Sequence, residues 1–518
     1  MTLALALALA ADFDLLILNG RVIDGSNNPW RRADVGVRGD SIAAIGNLKG
    51  RTATRTLDAT NLVVAPGFID IHNHGRTGIF EIPTAENFLR QGVTTLLEGN
   101  DGSSPLPLAP YMEKLAARRI SVNMGFFVGH GSVRQDVLEL AKRNVTPDEL
   151  AKMRVLVDQA MREGAFGLST GLFYVPGNFA PTEEVIELAK VVAKYDGMHI
   201  SHMRDEAADI LKSVAETIRI GEEGGIPTQV SHHKVIGSGN WGLAAKTVEM
   251  VEQARARGVD VTIDQYPYTA SSTGLAALFP QWALEGGRKA VLERLSAPET
   301  RARIKAVIVE KIKNDRGGGD PKNVVIRSCS FDSSLAGKTL ADVTKARGRQ
   351  VTFENAAETA LEMQKEGGCS CIYHAISEPD IERIMRSPYT MIASDGAITP
   401  SPKDFPHPRE FGTFARVLGR YVRERQTLRL EEAIWKMSGL PATRLKLKDR
   451  GYLVEGMKAD LGIFDPATVA DKAEFENPRQ MAVGFRHVIV NGEPVILDGQ
   501  VTAARPGKML RHESRGLR

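Results

Sequence analysis

Phe68-Ile-Asp-Ile-His72-Asn73-His74 is a short apolar run that ends in two imidazoles. In an extended strand residues i and i+2 lie on one side, about 7 Å apart along the chain. His72 and His74 therefore face the same way where the strand ends, and two such imidazoles can converge on one ion. Taken alone, His-x-His is equally the polar end of an ordinary strand. Seven further apolar runs decide the matter: 93–98, 121–129, 166–170, 198–202, 227–232, 260–264 and 390–395. Each ends in polar or ligand-type residues, and His202, His232 and Asp395 close three of them. Helix-like stretches such as 181–195 and 206–223 separate most of the runs, and Thr182 followed by Glu183 and Glu184 is a helix start. Strands alternating with helices predict an α/β chain of the (β/α)8 type, whose catalytic groups collect at the C-terminal strand ends. The same alternation turns His199 away from the side of His202, and His233 away from that of His232.

Working outward, the gap between 264 and 390 is too long for one helix, and about 282–349 reads as an inserted subdomain that begins charged and helical (301–315). Residues 15–22, 35–37 and 41–45 read as short strands, with turn signals at Asn19-Gly20 and Gly39-Asp40. Residues 459–464 and 484–491 mirror them near the other end. The expected organisation is an N-terminal part of a small β-sandwich at 12–65, a barrel at 66–435 and the rest of the sandwich at 436–518. Residues 1–11 alternate Leu and Ala like the apolar core of a secretory signal, but lack its basic start. They make a periplasmic or secreted location the first expectation and a cytoplasmic one the alternative.

Composition narrows the partners. The 518 residues exceed the about 250 of a barrel alone, which leaves room for the extra parts. Lys and Arg number 66 against 63 Asp and Glu, without a basic run, so no nucleic-acid partner is implied. Beyond the first residues no apolar run is long enough to span a bilayer. Cys329, Cys369 and Cys371 are too few for a disulfide framework and lack the paired spacing of a zinc knuckle, so they are expected as buried thiols.

Several longer stretches carry a resemblance. They are Pro66-Gly-Phe-Ile-Asp-Ile-His-Asn-His74, Gly129-His-Gly131 with Arg134, Gly164-Ala-Phe-Gly-Leu-Ser-Thr-Gly-Leu-Phe-Tyr174-Val-Pro-Gly177, Ser201-His-Met-Arg-Asp-Glu206 and Ser231-His-His-Lys234. They continue in Asp264-Gln-Tyr-Pro-Tyr268, Ser394-Asp-Gly396, His407-Pro-Arg409, Lys436-Met437, Pro441-Ala442 and Gly456-Met-Lys-Ala-Asp460-Leu. From Asp14 onward the chain resembles the D-aminoacylase (N-acyl-D-amino-acid deacylase) family of the amidohydrolase superfamily. The resemblance implies one or two Zn2+ ions, with two favoured. His72, His74 and Asp395 would hold one and His202 and His232 the other. It also implies that Asp395 is the general base toward an attacking water, whose pKa zinc lowers from about 15.7 to about 7. Asp395 would then hand the proton to the leaving amine.

One departure stands out. The family pattern has a bridging cysteine in a Gly-Asn-Cys-Gly turn after the second strand, where this chain has Glu98-Gly-Asn-Asp101-Gly102. Either carboxylate could bridge two ions. Glu98 is the first expectation, because it shares the face of Thr94 and Leu96 and would be carried to the barrel mouth; Asp101 is the second. The resemblance further implies that Lys234, Arg409 and Tyr266 or Tyr268 hold a substrate carboxylate, a task suited to charge-assisted bonds. Tyr174 and His130 are expected on the pocket wall, and Phe279-Pro-Gln-Trp282 near the side-chain pocket. With no additional basic residue evident, neutral or apolar D-side chains are favoured. The expected partner is thus a small N-acylated amino acid or dipeptide-like molecule, and a homo-oligomer is left open. A dipeptidase or cyclic-amide hydrolase would use the same ligands, and a metal-free scaffold is the reading from another class.

Overall fold

The computed structural model describes residues 11–513. The signal-like reading of 1–11 lies outside the described residues apart from Ala11. Parallel strands Phe68–Asp70, Val93–Glu98 and Asn123–Phe126 form one arc, and Val128–Gly129, Gly167–Gly171, Met198–His202, Thr228–Val230, Val261–Gln265 and Thr390–Ile392 form the other. The third stave is interrupted at Phe127, whose N–H still donates to the Glu98 carbonyl at 2.8 Å. The ring closes beyond the last strand, where Asp395 N–H donates to the His72 carbonyl at 2.8 Å and His74 N–H to that of Gly396 at 2.6 Å. These bonds place the segments carrying His72, His74 and Asp395 side by side at one end of a (β/α)8 barrel.

Helices cover the barrel. Thr182–Ala193 and Ile210–Gly224 bury Val185, Leu188 and Val192, and Ile210, Val214 and Ile218, respectively, at helical spacing. The strands themselves are buried throughout, as expected when helices cover one face and side chains fill the interior. The two ends of the chain share one nine-stranded sheet, joined where Leu461–Phe464 pairs antiparallel with Val63–Pro66. Leu15, Ile17, Val35, Leu461 and Ile463 lie in its own apolar cluster.

The insert is larger than 282–349. It begins at Ser271–Gly274, which pairs antiparallel with Cys369–Tyr373, and this strand pairs in turn with Val324–Cys329. Helices Pro298–Asn314 and Phe353–Glu366 pack on the sheet through Ile304, Ile308, Ala357 and Leu361. The sequence reading stopped short because the last helix and strand have the barrel's own rhythm; only antiparallel pairing assigns them to the insert. The cysteines also differ from expectation. Cys329 and Cys369 face one another across this ladder and are disulfide-bonded, while Cys371 is the buried thiol. No helix of the described residues is long and apolar enough to cross a membrane.

Candidate metal centre and substrate cavity

Beyond the strand ends the backbone bends sharply. Asp101, His232 and Asp395 have φ of 54°, 34° and 48°, a left-handed conformation that costs energy in any residue with a Cβ and gathers at functional sites. Each is fixed by its neighbours. His232 N–H donates to Asp264 Oδ1 at 2.7 Å, and Asp395 N–H is the closing bond to His72. The Asp101 loop is pinned through Gly102 N–H, which donates to Ser169 Oγ at 3.1 Å. A Cβ on Gly171 would collide with the Asp101 carbonyl, so this approach requires glycine.

The result is two donor sets that share one residue: His72, His74, Asp101 and Asp395, and Asp101, His202 and His232. His72 Nε2 lies 3.3 Å from Asp101 Oδ1, and His74 Nε2 lies 3.3 Å from Asp101 Oδ2 and 3.1 Å from Asp395 Oδ1. Asp101 Oδ1 is also 3.4 Å from His232 Nε2 and 3.6 Å from His202 Nδ1. A tetrahedron with ligand bonds of about 2.0–2.2 Å has edges of about 3.4 Å, so these separations fit zinc. His72 Nε2 and Asp101 Oδ1 are buried without a hydrogen-bond partner, which a bound cation would remedy. Histidine nitrogen with carboxylate oxygen is a donor set that zinc accepts.

The electrostatics point the same way. Burial opposes charge on His74, yet Asp101 and Asp395 raise its pKa to about 9. Burial opposes charge on His72 too, and Asp101 and Asp264 raise its pKa well above the usual value. Burial likewise disfavours the Asp395 carboxylate, but Arg409, His74 and the other histidines hold its pKa below the ordinary range. Asp395 is therefore an ionised carboxylate in a site that favours positive charge.

Glu98 takes no part in either set, and the ordering of the two carboxylates is corrected. Strand parity does bury Glu98 at the mouth, but its Oε1 accepts from Arg76 N–H at 2.6 Å and braces the turn after His74. Parity lapses at Gly99, whose φ of 83° starts the loop that returns Asp101 to the centre.

A cavity of about 630 Å³ opens over the donors, and Tyr174, Lys234, Tyr266 and Arg409 lie on its wall. Arg409 Nη1 is 2.7 Å from Asp395 Oδ2, and its guanidinium sits 4.7 Å over the Tyr266 ring. Tyr266 Oη, Ser271 Oγ and Arg409 Nε are buried donors with no partner in the protein. Two expected wall residues are elsewhere. His130 Nε2 faces Glu184 Oε1 at 2.9 Å, in a buried cluster with Arg134. Tyr268 lies behind the wall, its hydroxyl donating to the Pro408 carbonyl at 3.4 Å beneath Arg416. The resemblance leaves Tyr266 and Tyr268 open as alternatives; both follow the strand that ends at Gln265, and Tyr266 is the one on the cavity wall. His199, between Thr170 and Thr228, and His233, bonded to Thr247, are turned away from the donors. Phe279 lies in the core of the insert and Trp282, partly buried, packs against it.

Sequence reasoning missed Glu206, Arg316 and Arg327, all on the wall. Glu206 stood in a quoted motif without a role. Arg327 falls at a bulge, where the ladder register shifts between Ile326 and Ser328. Such a bulge re-aims a side chain, and no sequence pattern announces it. Its Nη2 donates to Thr399 Oγ1 at 2.7 Å and Glu410 Oε1 at 2.8 Å, and its Nε is unpartnered.

A barrel with two carboxylate-linked histidine sets at its mouth defines a metal-dependent hydrolase, and the sequence profile of the amidohydrolase family matches residues 55–311 and 337–496. The chain belongs to that family, in its D-aminoacylase branch. It is 39% identical over 522 residues to the D-aminoacylase of Alcaligenes xylosoxydans xylosoxydans, covering 96% of this chain and 97% of the relative. The crystal structure of N-acyl-D-glutamate deacylase from Bordetella bronchiseptica, complexed with zinc and a phosphonate mimic of the tetrahedral intermediate, superposes with TM-score 0.82 at 35% identity, covering 96% of this chain and 99% of that one. A D-aminoacylase studied for its binuclear metal centre gives TM-score 0.82 at 37% identity, covering 96% and 100%.

Proposed function

We propose that the protein is a zinc-dependent deacylase of N-acyl-D-amino acids, with a binuclear centre held by His72, His74, Asp101, His202, His232 and Asp395. The observation that carries this reading is the pair of donor sets joined through Asp101, directly beside unpartnered donors suited to a carboxylate. Zinc, when bound, supplies an acidified water and polarises the amide carbonyl.

The chain's residues do the rest. Asp395, ionised and 3.1 Å from His74 Nε2, accepts the proton of the attacking water and delivers it to the departing amine. An amine leaves poorly unless protonated, so one carboxylate serves both halves of the reaction. Lys234, Arg409, Tyr266 and Ser271 receive the α-carboxylate. Arg409 also touches Asp395, so carboxylate binding and the base share one guanidinium. Tyr174, whose hydroxyl meets Thr273 Oγ1 at 3.1 Å, walls the cavity between the barrel and the insert.

Arg76 and Arg327 on the wall remove the basis for favouring apolar side chains. The unpartnered Nε of Arg327 supports polar or acidic D-side chains instead, and one relative is an N-acyl-D-glutamate deacylase. An exported location is supported by the Cys329–Cys369 disulfide, since such bonds persist in oxidising compartments; cell fractionation tests it. The function is tested by following amine release from matched N-acyl-D and N-acyl-L substrates, with glutamate and leucine side chains and with the carboxyl free or amidated. D-substrates with a free carboxylate should react fastest, and glutamate ahead of leucine. Amidation should cost about 1.5–3 kcal/mol for each charge-assisted bond lost. Efficient turnover of amidated or only L-configured substrates would contradict the reading and favour a dipeptidase or cyclic-amide hydrolase.

A further inference from the structure

Glu206 belongs to neither donor set, yet it is buried at the cavity wall, with its backbone carbonyl fixed by Ile236 N–H at 2.8 Å. Its carboxylate stands behind both histidines of the second set. Oε1 is 3.2 Å from His232 Nδ1, and Oε2 is 3.8 Å from His202 Nε2, near enough for charge though too far for a hydrogen bond. The opposite nitrogens, His232 Nε2 and His202 Nδ1, are those that face Asp101. A neutral imidazole that gives one nitrogen to a metal carries its proton on the other and needs an acceptor there. Lys234 Nζ is 2.7 Å from His232 Nδ1, but an ammonium only donates. The hydrogen bond at Nδ1 is the one to Lys234, and Glu206 Oε1, at 3.2 Å, is an acceptor beside the ring rather than one bonded to it. The same carboxylate pairs with Lys234 Nζ, and it accepts from Arg316 Nη2 at 3.1 Å.

We propose that Glu206 is a positioning residue that joins the two halves of the site. It fixes the proton of His232 on Nδ1, so that Nε2 is offered to a metal. It also holds Lys234 on the wall where the substrate carboxylate arrives. One buried anion thus orients His232 of the second donor set and sets the place of the carboxylate relative to it. Arg316 brings the insert into the same arrangement: its guanidinium lies 4.4 Å over the Phe173 ring and reaches Glu206 from a segment remote in sequence. The inference rests on the metal-centre reading above.

The test is a zinc titration of metal-free protein against a chromophoric chelator, resolving two binding steps in the wild type. Glu206→Gln should weaken one step by about 10–100-fold, the usual cost of losing an outer partner of a metal-bound histidine, and leave the other step unchanged. Lys234→Met should raise KM for an N-acyl-D-amino acid while both zinc steps keep their affinity, which separates the two tasks of the carboxylate. If neutralising residue 206 unfolds the protein, Glu206→Asp gives the same readout, because it keeps the charge but draws it back from the imidazoles. Two wild-type steps unchanged in the folded variant would overturn this inference alone. Wild-type protein that takes up no zinc would overturn the metal-centre reading and this inference with it.

Discussion

The barrel mouth and the insert supply the same cavity by different means. At the mouth, His202 closes a regular strand, and His72, His232 and Asp395 follow strands by two or three residues. Their places are set by parallel pairing that repeats around the ring. The insert contributes Arg316 from the turn after a helix and Arg327 from a bulge, and a disulfide ties its outer strand Val324–Cys329 to the central strand Cys369–Tyr373. The difference separates tasks. The metal donors rest on a closed ring that cannot shift one strand without its neighbours, whereas the insert's share of the cavity wall rests on a unit with its own core.

Substituting the base should give the largest effect. Asp395→Asn should fold, since its N–H bond to His72 is untouched, and lose about 10³-fold or more in kcat, because general base work is typically worth about 10²–10⁴-fold and this residue also faces the metal site. A variant within about tenfold of wild type would move the base away from the barrel mouth.

Next in size is the contrast within one loop. Asp101→Ala should lower zinc content and activity together, since both donor sets share Asp101. Glu98→Ala should keep both metals and lose a smaller part of the activity by loosening the turn it braces at Arg76. The reverse ranking, by metal analysis of both proteins, would restore Glu98 as the bridge.

The smallest effect on chemistry is expected from the insert's own fastening. Cys329→Ser with Cys369→Ser should lower the insert's stability by about 2–4 kcal/mol, as a closed loop of this kind does. Zinc content should stay unchanged, and the change should show as altered preference among D-side chains. Loss of zinc on removing the disulfide would mean that barrel and insert are not separable in this way.

The same contrast explains what the sequence discloses. Barrel and donors are legible because strand periodicity and a run of ligand-type strand ends repeat one rule; the role of Asp395 as base comes from the family resemblance. His199 and His233 are excluded by that rule and are indeed turned away. The rule misleads as soon as a strand stops. It favoured Glu98 over Asp101 across the Gly99 turn. Non-local pairing is beyond it altogether. The Cys329–Cys369 bond depends on an antiparallel register, Arg327 on a bulge within it, and Glu206 on contacts from several segments at once.

The most direct test of the whole account is to strip the protein of metal and titrate zinc back while following amine release from an N-acyl-D-amino acid and its L-enantiomer. Activity should be absent without zinc, return with it, and return for the D-substrate alone. Full activity in verified metal-free protein, or equal turnover of both enantiomers, would contradict it.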